Sequence, residues 1–383
     1  MIIQTKAFQE AANKILLAVS TDKTNAANVE LEAKDNVLYL RTTNKEFYVE
    51  IKFDLESAET FRAVVDANLF LNLISSITTD TFEITINENV TINTLLVKAG
   101  KSNYKLALIY ENEELMQLPA IRLFPDQVKV EMNIAHDILS SILNVNSKEI
   151  QKAKHIDVNE LQRYYYIDET GCFTFTTGAC VNSFTLDQPI RLLLNEKVVK
   201  LFKLFTTDAY LRYGYVPEGN ELRPIVTLQA GDNIYIAAKL QCDDKLISKI
   251  KAPCDAMKNL IKESYAHNLV LSATLLSAAI SRLLMFTKNS GAKVESSFIP
   301  AFVEITQNEL TIYDSSDNSE VIAIENGSSV DGTYSMGINL IDLKSVLDSC
   351  KNEHITMNCG NHKSVIINRG PISNVVAEAR IVK

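Results

Sequence analysis

The sequence predicts an α+β chain of three similar domains, each a doubled unit of a helix followed by antiparallel strands. Three observations predict this. At 383 residues the chain is too long for one core and suits three domains of ordinary size. Amphipathic helical stretches alternate with strand pairs from end to end, which is the pattern of helices packed on one face of antiparallel sheets. One order of strand, capped helix, turn and glycine-ended strands occurs three times, and such long-period self-similarity marks one unit reused.

The first copy opens with a helix over Ala7 to Val19 and a strand over Leu38 to Thr43. Its second half runs Val64-Val65-Asp66, helix to Ile77, Thr78-Thr79-Asp80, then strands through Val97-Lys98-Ala99-Gly100 and Tyr104 to Leu108. The middle copy has a helix over Ala135 to Leu143, a strand over Phe173 to Thr176, Leu193-Leu194-Asn195 and a helix over Glu196 to Phe205. Thr206-Thr207-Asp208 follows, then Leu228-Gln229-Ala230-Gly231. The third copy has a helix over Ala273 to Phe286 with Ser272 as its N-cap. Leu275, Leu276, Ala279, Leu283 and Phe286 lie along one of its faces. A strand over Leu310 to Ser315 follows, then Met336 to Asn339, a helix to Cys350, and Ile367-Asn368-Arg369-Gly370.

The domains are expected at 1–125, 126–252 and 253–383. The bridges are Pro119 to Asp126 and the charged Cys242 to Asp255, which holds Pro253. Bridges this short imply rigid stacking, and sheets of neighbouring domains are expected to join edge to edge, covering strand edges.

Composition narrows the function classes. Hydrophobic residues at 46% with 22% charged belong to a soluble globular protein rather than a disordered one. The most apolar stretch, Leu271 to Phe286, is interrupted by Ser272, Ser277, Ser281 and Arg282, so no membrane partner is expected. The segment Met1 to Lys6 has no basic-then-apolar signal, which leads to the expectation of a cytoplasmic protein. Six cysteines without a C-x-x-C pair read as free thiols, and no metal or other cofactor is expected. A net charge of −9 argues against indiscriminate coating of nucleic acid, but allows DNA if positive charge is gathered on one surface.

The helices gather it. Lys197, Lys200 and Lys203 recur every third residue between Val198, Leu201, Phe202 and Phe205. Lys6 and Lys14 sit on the first helix, and Lys148, Lys152 and Lys154 follow the middle domain's first helix. Arg282 and Lys288 lie on or after the third domain's first helix, and Lys344 on its second, while Glu111, Glu113, Glu114, Asp243 and Asp244 fall in loops and bridges. Any one basic stripe is equally the solvated face of an ordinary helix; their repetition implies a segregated positive surface. Scattered lysines on phosphates give salt-sensitive affinity without sequence choice. The lining is uneven, because Asp66 to Ile77 carries no basic residue.

Catalytic signatures are missing from the sequence: no G-x-G-x-x-G, Walker A, H-E-x-x-H or G-x-S-x-G string occurs, and the five histidines are isolated. Asp243-Asp244 reads as a solvated turn. Tyr164-Tyr165-Tyr166 suits either base stacking or a strand burying alternate rings. The chain is expected to be no enzyme.

Several strings resemble the bacterial-type DNA polymerase sliding clamp, the beta subunit of DNA polymerase III. They are Leu38 to Asn44, Val97 to Tyr104, Arg163-Tyr164-Tyr165, Thr176-Thr177-Gly178 and Val375 to Ile381, in the family's order and spacing over essentially the whole chain. The resemblance implies the DNA clamp fold, with sheets outside and helices lining a ring. It implies a head-to-tail homodimer that encircles duplex DNA, slides without sequence specificity and tethers the replicative polymerase. Its other partners would be a clamp loader and short linear peptide motifs.

By position, Lys23, Tyr164 and Tyr165 correspond to DNA-proximal residues. Tyr104 and Leu106, with Met285 and Phe286, correspond to the subunit interface; core packing is the equal alternative for the last two. The partner-peptide pocket would comprise Tyr166, Thr176, Gly178, Ala179, Cys180, Val181, Ile250, Ser364, Val375, Val376, Ala377, Glu378, Ala379, Arg380 and Ile381. Here the chain departs from the family. Ala179-Cys180 replaces a His-Arg pair and Ala377-Glu378-Ala379 replaces Met-Pro-Met, so adaptable methionines are lost and a carboxylate enters. The departures imply a narrower or different set of partners. The readings from other classes are a virion-type structural protein of repeated sheet domains, and an enzyme built around Asp243, Asp244 and His155.

Overall fold

The computed structural model describes residues 1–19, 27–44, 46–56, 59–87, 93–118, 124–145, 164–175, 179–240, 244–289, 298–350 and 353–380. Helices and exclusively antiparallel sheets alternate along it, as the α+β pattern predicts. The described residues form two compact units. The first comprises Met1–Leu143, Asp187–Ile190 and Lys197–Cys242; the second comprises Asn144–Leu186, Arg191–Glu196 and Asp243–Lys383. The division therefore runs through the middle repeat, whose strands are shared between the two.

Each unit holds one eight-stranded and one four-stranded sheet. In the first unit, the strand Ile234–Lys239 of the middle repeat pairs antiparallel with Phe47–Asp54 of the first repeat, Ile234 opposite Ile51 and Ala238 opposite Phe47. In the second unit, Ala179–Ser183 of the middle repeat pairs with Ile372–Ala377 of the third, Ala179 opposite Val375. Repeats thus extend one another's sheets edge to edge, which satisfies main-chain groups that an isolated repeat would leave bare.

The helices, in chain order, are α1 (Thr5–Leu16), α2 (Ala67–Ser76), α3 (His136–Leu143), α4 (Glu196–Lys200), α5 (Asp244–Lys262), α6 (Ala273–Asn289) and α7 (Leu340–Asp348). The expected helix over Glu196 to Phe205 is α4 followed by a 3-10 turn, Leu201–Leu204. Caps fall where the repeat places them. The Asp66 carboxylate accepts the Leu69 N–H at 2.7 Å at the start of α2, a contact of about 1 kcal/mol. Asn339 Oδ1 accepts the Ile341 N–H at the start of α7, and Asp208 Oδ1 accepts the His136 N–H at the start of α3. Helices pair within repeats: Gln9 on α1 donates to the carbonyls of Ile74 and Ile77 at 2.9 Å, and Ser277 on α6 donates to Asp348 on α7.

The three glycines that end the repeated strand pattern, Gly100, Gly231 and Gly370, all hold positive φ (59°, 51° and 53°). The tight turn at that point needs a left-handed residue, which glycine adopts without strain. The repeat in the sequence is thus a repeat of one backbone requirement.

One expectation fails. Cys242 to Asp255 is not a short bridge; most of it lies in α5, a 19-residue helix that runs through Pro253. Among the described residues no helix is long and apolar enough to cross a membrane. The described bridge residues before the middle repeat, Phe124 onward, lead directly into the strand Gln127–Ile134.

Candidate DNA and partner interfaces

The basic helix positions are solvent-facing in part. Lys6, Lys197 and Lys203 are exposed, and Lys14 and Lys200 are half-buried, all in the first unit. The helix stripe explains this: Val198, Val199, Leu201, Phe202 and Leu204 take the buried side and leave the lysines at its flank. In the second unit the two basic candidates whose side chains are described, Arg282 and Lys344, are already paired. Arg282 donates through Nε and Nη2 to the two carboxylate oxygens of Glu320, each at 2.6 Å, and holds that carboxyl below its ordinary range. Lys344 pairs with Asp348 one turn along α7. Lys23, Lys148, Lys152 and Lys154 lie outside the described residues, as does the side chain of Lys288.

The two tyrosines differ in exposure, Tyr164 being half-buried and Tyr165 buried. Tyr165 is 1% exposed. Tyr164, on the opposite face of the same strand, packs with Ile247 against a cluster that includes Tyr166 and Ile250. Alternation along the strand Tyr164–Asp168 sends neighbouring rings to opposite faces, and both faces are covered.

The interface candidates separate similarly. Tyr104 is 41% exposed on Ser102–Ala107, the outermost strand of the first unit's four-stranded sheet. Leu106, on the same strand, is buried rather than facing outward. In the second unit, Met285 and Phe286 are 58% and 56% exposed on α6, which packs beside the outermost strand Ser319–Ala323. Val321 on that strand is 57% exposed as well. Each unit therefore ends in an unpaired sheet edge with an exposed apolar side chain, among the described residues.

The structure brings many of the pocket positions together, but as a filled site. Tyr166, Val181 and Ile250 are buried in one cluster with Phe173, Leu193 and Cys254. Ile247, Met257 and Ile261 pack against it from α5. Val375 and Ile366 form an adjoining cluster with Met257, Leu260, Ile261 and Tyr265. Ser364 pairs opposite Ala377, two residues along from Ile366 and Val375, on that same sheet face.

Cys180 and Val376 belong elsewhere. Each neighbours a groove residue in its strand and so points to the other side, where Val376 joins a second core cluster of that unit, with Leu269, Leu343 and Ile367. Ala377 and Arg380 are exposed. Glu378 accepts the Tyr334 hydroxyl at 2.8 Å, and main-chain bonds from Glu378 to Lys363 and from Ala379 to Gly337 hold the terminal segment down. Thr176, Gly178 and Ile381, and the side chain of Ala179, lie outside the described residues.

Sequence reasoning missed the residues that complete this site: Asp168, Phe173, Cys254, Met257, Lys258 and Ile261. The signal was present. Ile247, Ile250, Cys254, Met257 and Ile261 alternate three- and four-residue steps, the seam of an amphipathic helix. Pro253 in its midst hid the helix.

The comparisons agree with this architecture. Residues 1–118 match the family described as DNA polymerase III beta subunit, N-terminal domain. No curated protein matches the chain. Among solved structures, the sliding clamp of Pseudomonas aeruginosa bound to griselimycin matches with TM-score 0.73 at 17% identity, covering 100% of this chain and 99% of that one. The beta subunit of Thermotoga maritima matches with TM-score 0.72 at 15% identity, over 100% and 99%. The Helicobacter pylori beta clamp bound to a DNA ligase peptide matches with TM-score 0.66 at 13% identity, over 99% of each chain. Residues 1–118 are thus similar to the N-terminal domain of the DNA polymerase III beta subunit, and the chain has the fold of the bacterial sliding clamps from end to end.

Proposed function

We propose that this chain is a DNA sliding clamp: a head-to-tail homodimeric ring that encircles duplex DNA and tethers the replicative polymerase for processive synthesis. One observation carries the reading. The family match in the first domain continues, at the level of fold, over the whole chain and the whole of each clamp it resembles. A virion-type structural role finds no support in these likenesses.

The mechanism is topological. A closed ring cannot leave a duplex sideways, so weak, sequence-independent phosphate contacts suffice and tight base readout would hinder sliding. Lys6, Lys14, Lys197, Lys200 and Lys203 are the described residues proposed to face the duplex. Three like domains, bounded near 125 and 252, would contribute six to a dimeric ring. The edge with Tyr104 on one subunit would meet the edge with Met285, Phe286 and Val321 on the other, completing the sheet ladders of both. A replicative polymerase, a clamp loader and partners bearing short linear motifs are the proposed clients, and the chemistry belongs to them rather than to this chain. A cytoplasmic location fits this role.

The test is retention on closed DNA. The purified protein, loaded on a nicked circular plasmid, should stay bound through gel filtration at about 0.3 M salt and be lost when the circle is linearised. Equal loss from circle and linear DNA would overturn the reading. Negative-stain images should show rings with a central hole wide enough for a duplex.

A further inference from the structure

We propose that α5 is a built-in occupant of the partner-peptide groove, which an incoming amphipathic segment must displace; this rests on the clamp reading above. The groove floor is made of strands from two repeats. Tyr166, Phe173 and Val181 come from the middle repeat, and Ile366 and Val375 from the third. Across their junction lies α5, with Ile250 and Cys254 fully buried and Ile247, Met257, Leu260 and Ile261 packed on the two clusters. A short apolar peptide seeking this floor would meet the chain's own isoleucines and methionine first. Ile250, a groove position by its resemblance, is itself carried by the covering helix.

The attachment combines a latch with a weak point. Lys258 on α5 reaches Asp168 Oδ2 at 2.9 Å, with its ammonium 4.8 Å from the Phe173 ring centre. Tyr265, just beyond α5, donates its hydroxyl to the Leu260 carbonyl at 3.0 Å. Pro253 sits inside the helix and has no N–H to give the preceding turn, so the ladder of α5 lacks a bond there. Displacing it would leave both sheets intact, because α5 contributes no strand to either. Affinity for a partner would then scale with the fraction of molecules whose groove is open.

The test uses the full chain and a fluorescein-labelled peptide, Gln-Leu-Ser-Leu-Phe, followed by anisotropy. The double variant Met257→Asp with Ile261→Asp should bind it at least tenfold more tightly than the natural chain, as expected if the groove is open in far fewer than one molecule in ten. In the natural chain, saturating peptide should strip hydrogen-exchange protection from the 244–262 amides while leaving the sheet amides protected. Should the double variant not fold, this exchange measurement decides alone. Equal affinity in both proteins, unchanged α5 exchange, or no binding to either would overturn the inference. Retention on circular DNA is scored separately, so a chain retained there but indifferent to α5 loses only this inference.

Discussion

Lys258 Nζ lies 2.9 Å from Asp168 Oδ2, and this contact ties α5 to the strand Tyr164–Asp168 of the middle repeat. The pair is mostly shielded from solvent, and Asp168 also accepts the Thr170 N–H and hydroxyl through Oδ1. A charge-assisted bond in such a place contributes about 2 kcal/mol. Lys258→Ala should therefore speed amide exchange across 244–262 by about tenfold or more, without shifting the midpoint of global urea unfolding by the same energy. Exchange in α5 equal to that of the natural chain would show that the helix is held by apolar packing alone.

Cys254 reports the same docking chemically. Burial pushes its thiol up to about 12, so at pH 8 its thiolate is about a thousandfold scarcer than that of an ordinary cysteine. Reaction with a disulfide reagent at pH 8 should leave Cys254 unmodified, and saturating peptide should unmask one extra thiol that Cys254→Ser removes. Rapid labelling of Cys254 in the free protein would contradict a docked α5.

Alkaline pH should weaken the fold. Burial raises the thiols of Cys254 and Cys359 to about 12 and lifts those of Cys172 and Cys350 in the same direction. Above about pH 9 the unfolded chain sheds these protons while the native chain keeps them, so the unfolded state gains. Stability is fully present below pH 9 and falls as pH climbs toward 12. Thermal unfolding at pH 7, 9 and 10.5 measures this; a melting temperature flat to pH 10.5 would contradict the burial of these thiols.

On the first unit's eight-stranded sheet, Arg41 binds Glu30 at 3.0 Å, Glu50 at 2.7 Å and Glu32, while Arg62 binds Glu30 at 2.6 Å. Arg41→Ala would leave three clustered carboxylates, one of them largely buried, and should cost about 3 kcal/mol. Urea denaturation measures the loss. A change below about 1 kcal/mol would mean that water replaces the guanidinium freely.

Lys197 and Lys203 flank one helical stripe and are exposed. Replacing both by alanine should lower the slope of log affinity against log salt for duplex DNA by about 2, equally for unrelated sequences. A sequence-dependent loss would argue against a sliding contact.

The sequence by itself determined the α+β class and the cap positions, because these depend on local periodicity and on backbone needs that single residues meet. Gly100, Gly231 and Gly370 are legible as a repeat because each must adopt positive φ. The lysine stripe of α4 is legible because burial of Val198, Leu201 and Phe202 forces it outward. The facing of Tyr165, Leu106, Cys180 and Val376 was decided only by tertiary structure. A strand's alternation says that neighbours diverge, but which face meets a neighbour depends on residues far along the chain. The same holds for α5: whether its stripe lies in water or on a groove is a matter of Tyr166, Val181 and Val375, which only folding brings beneath it.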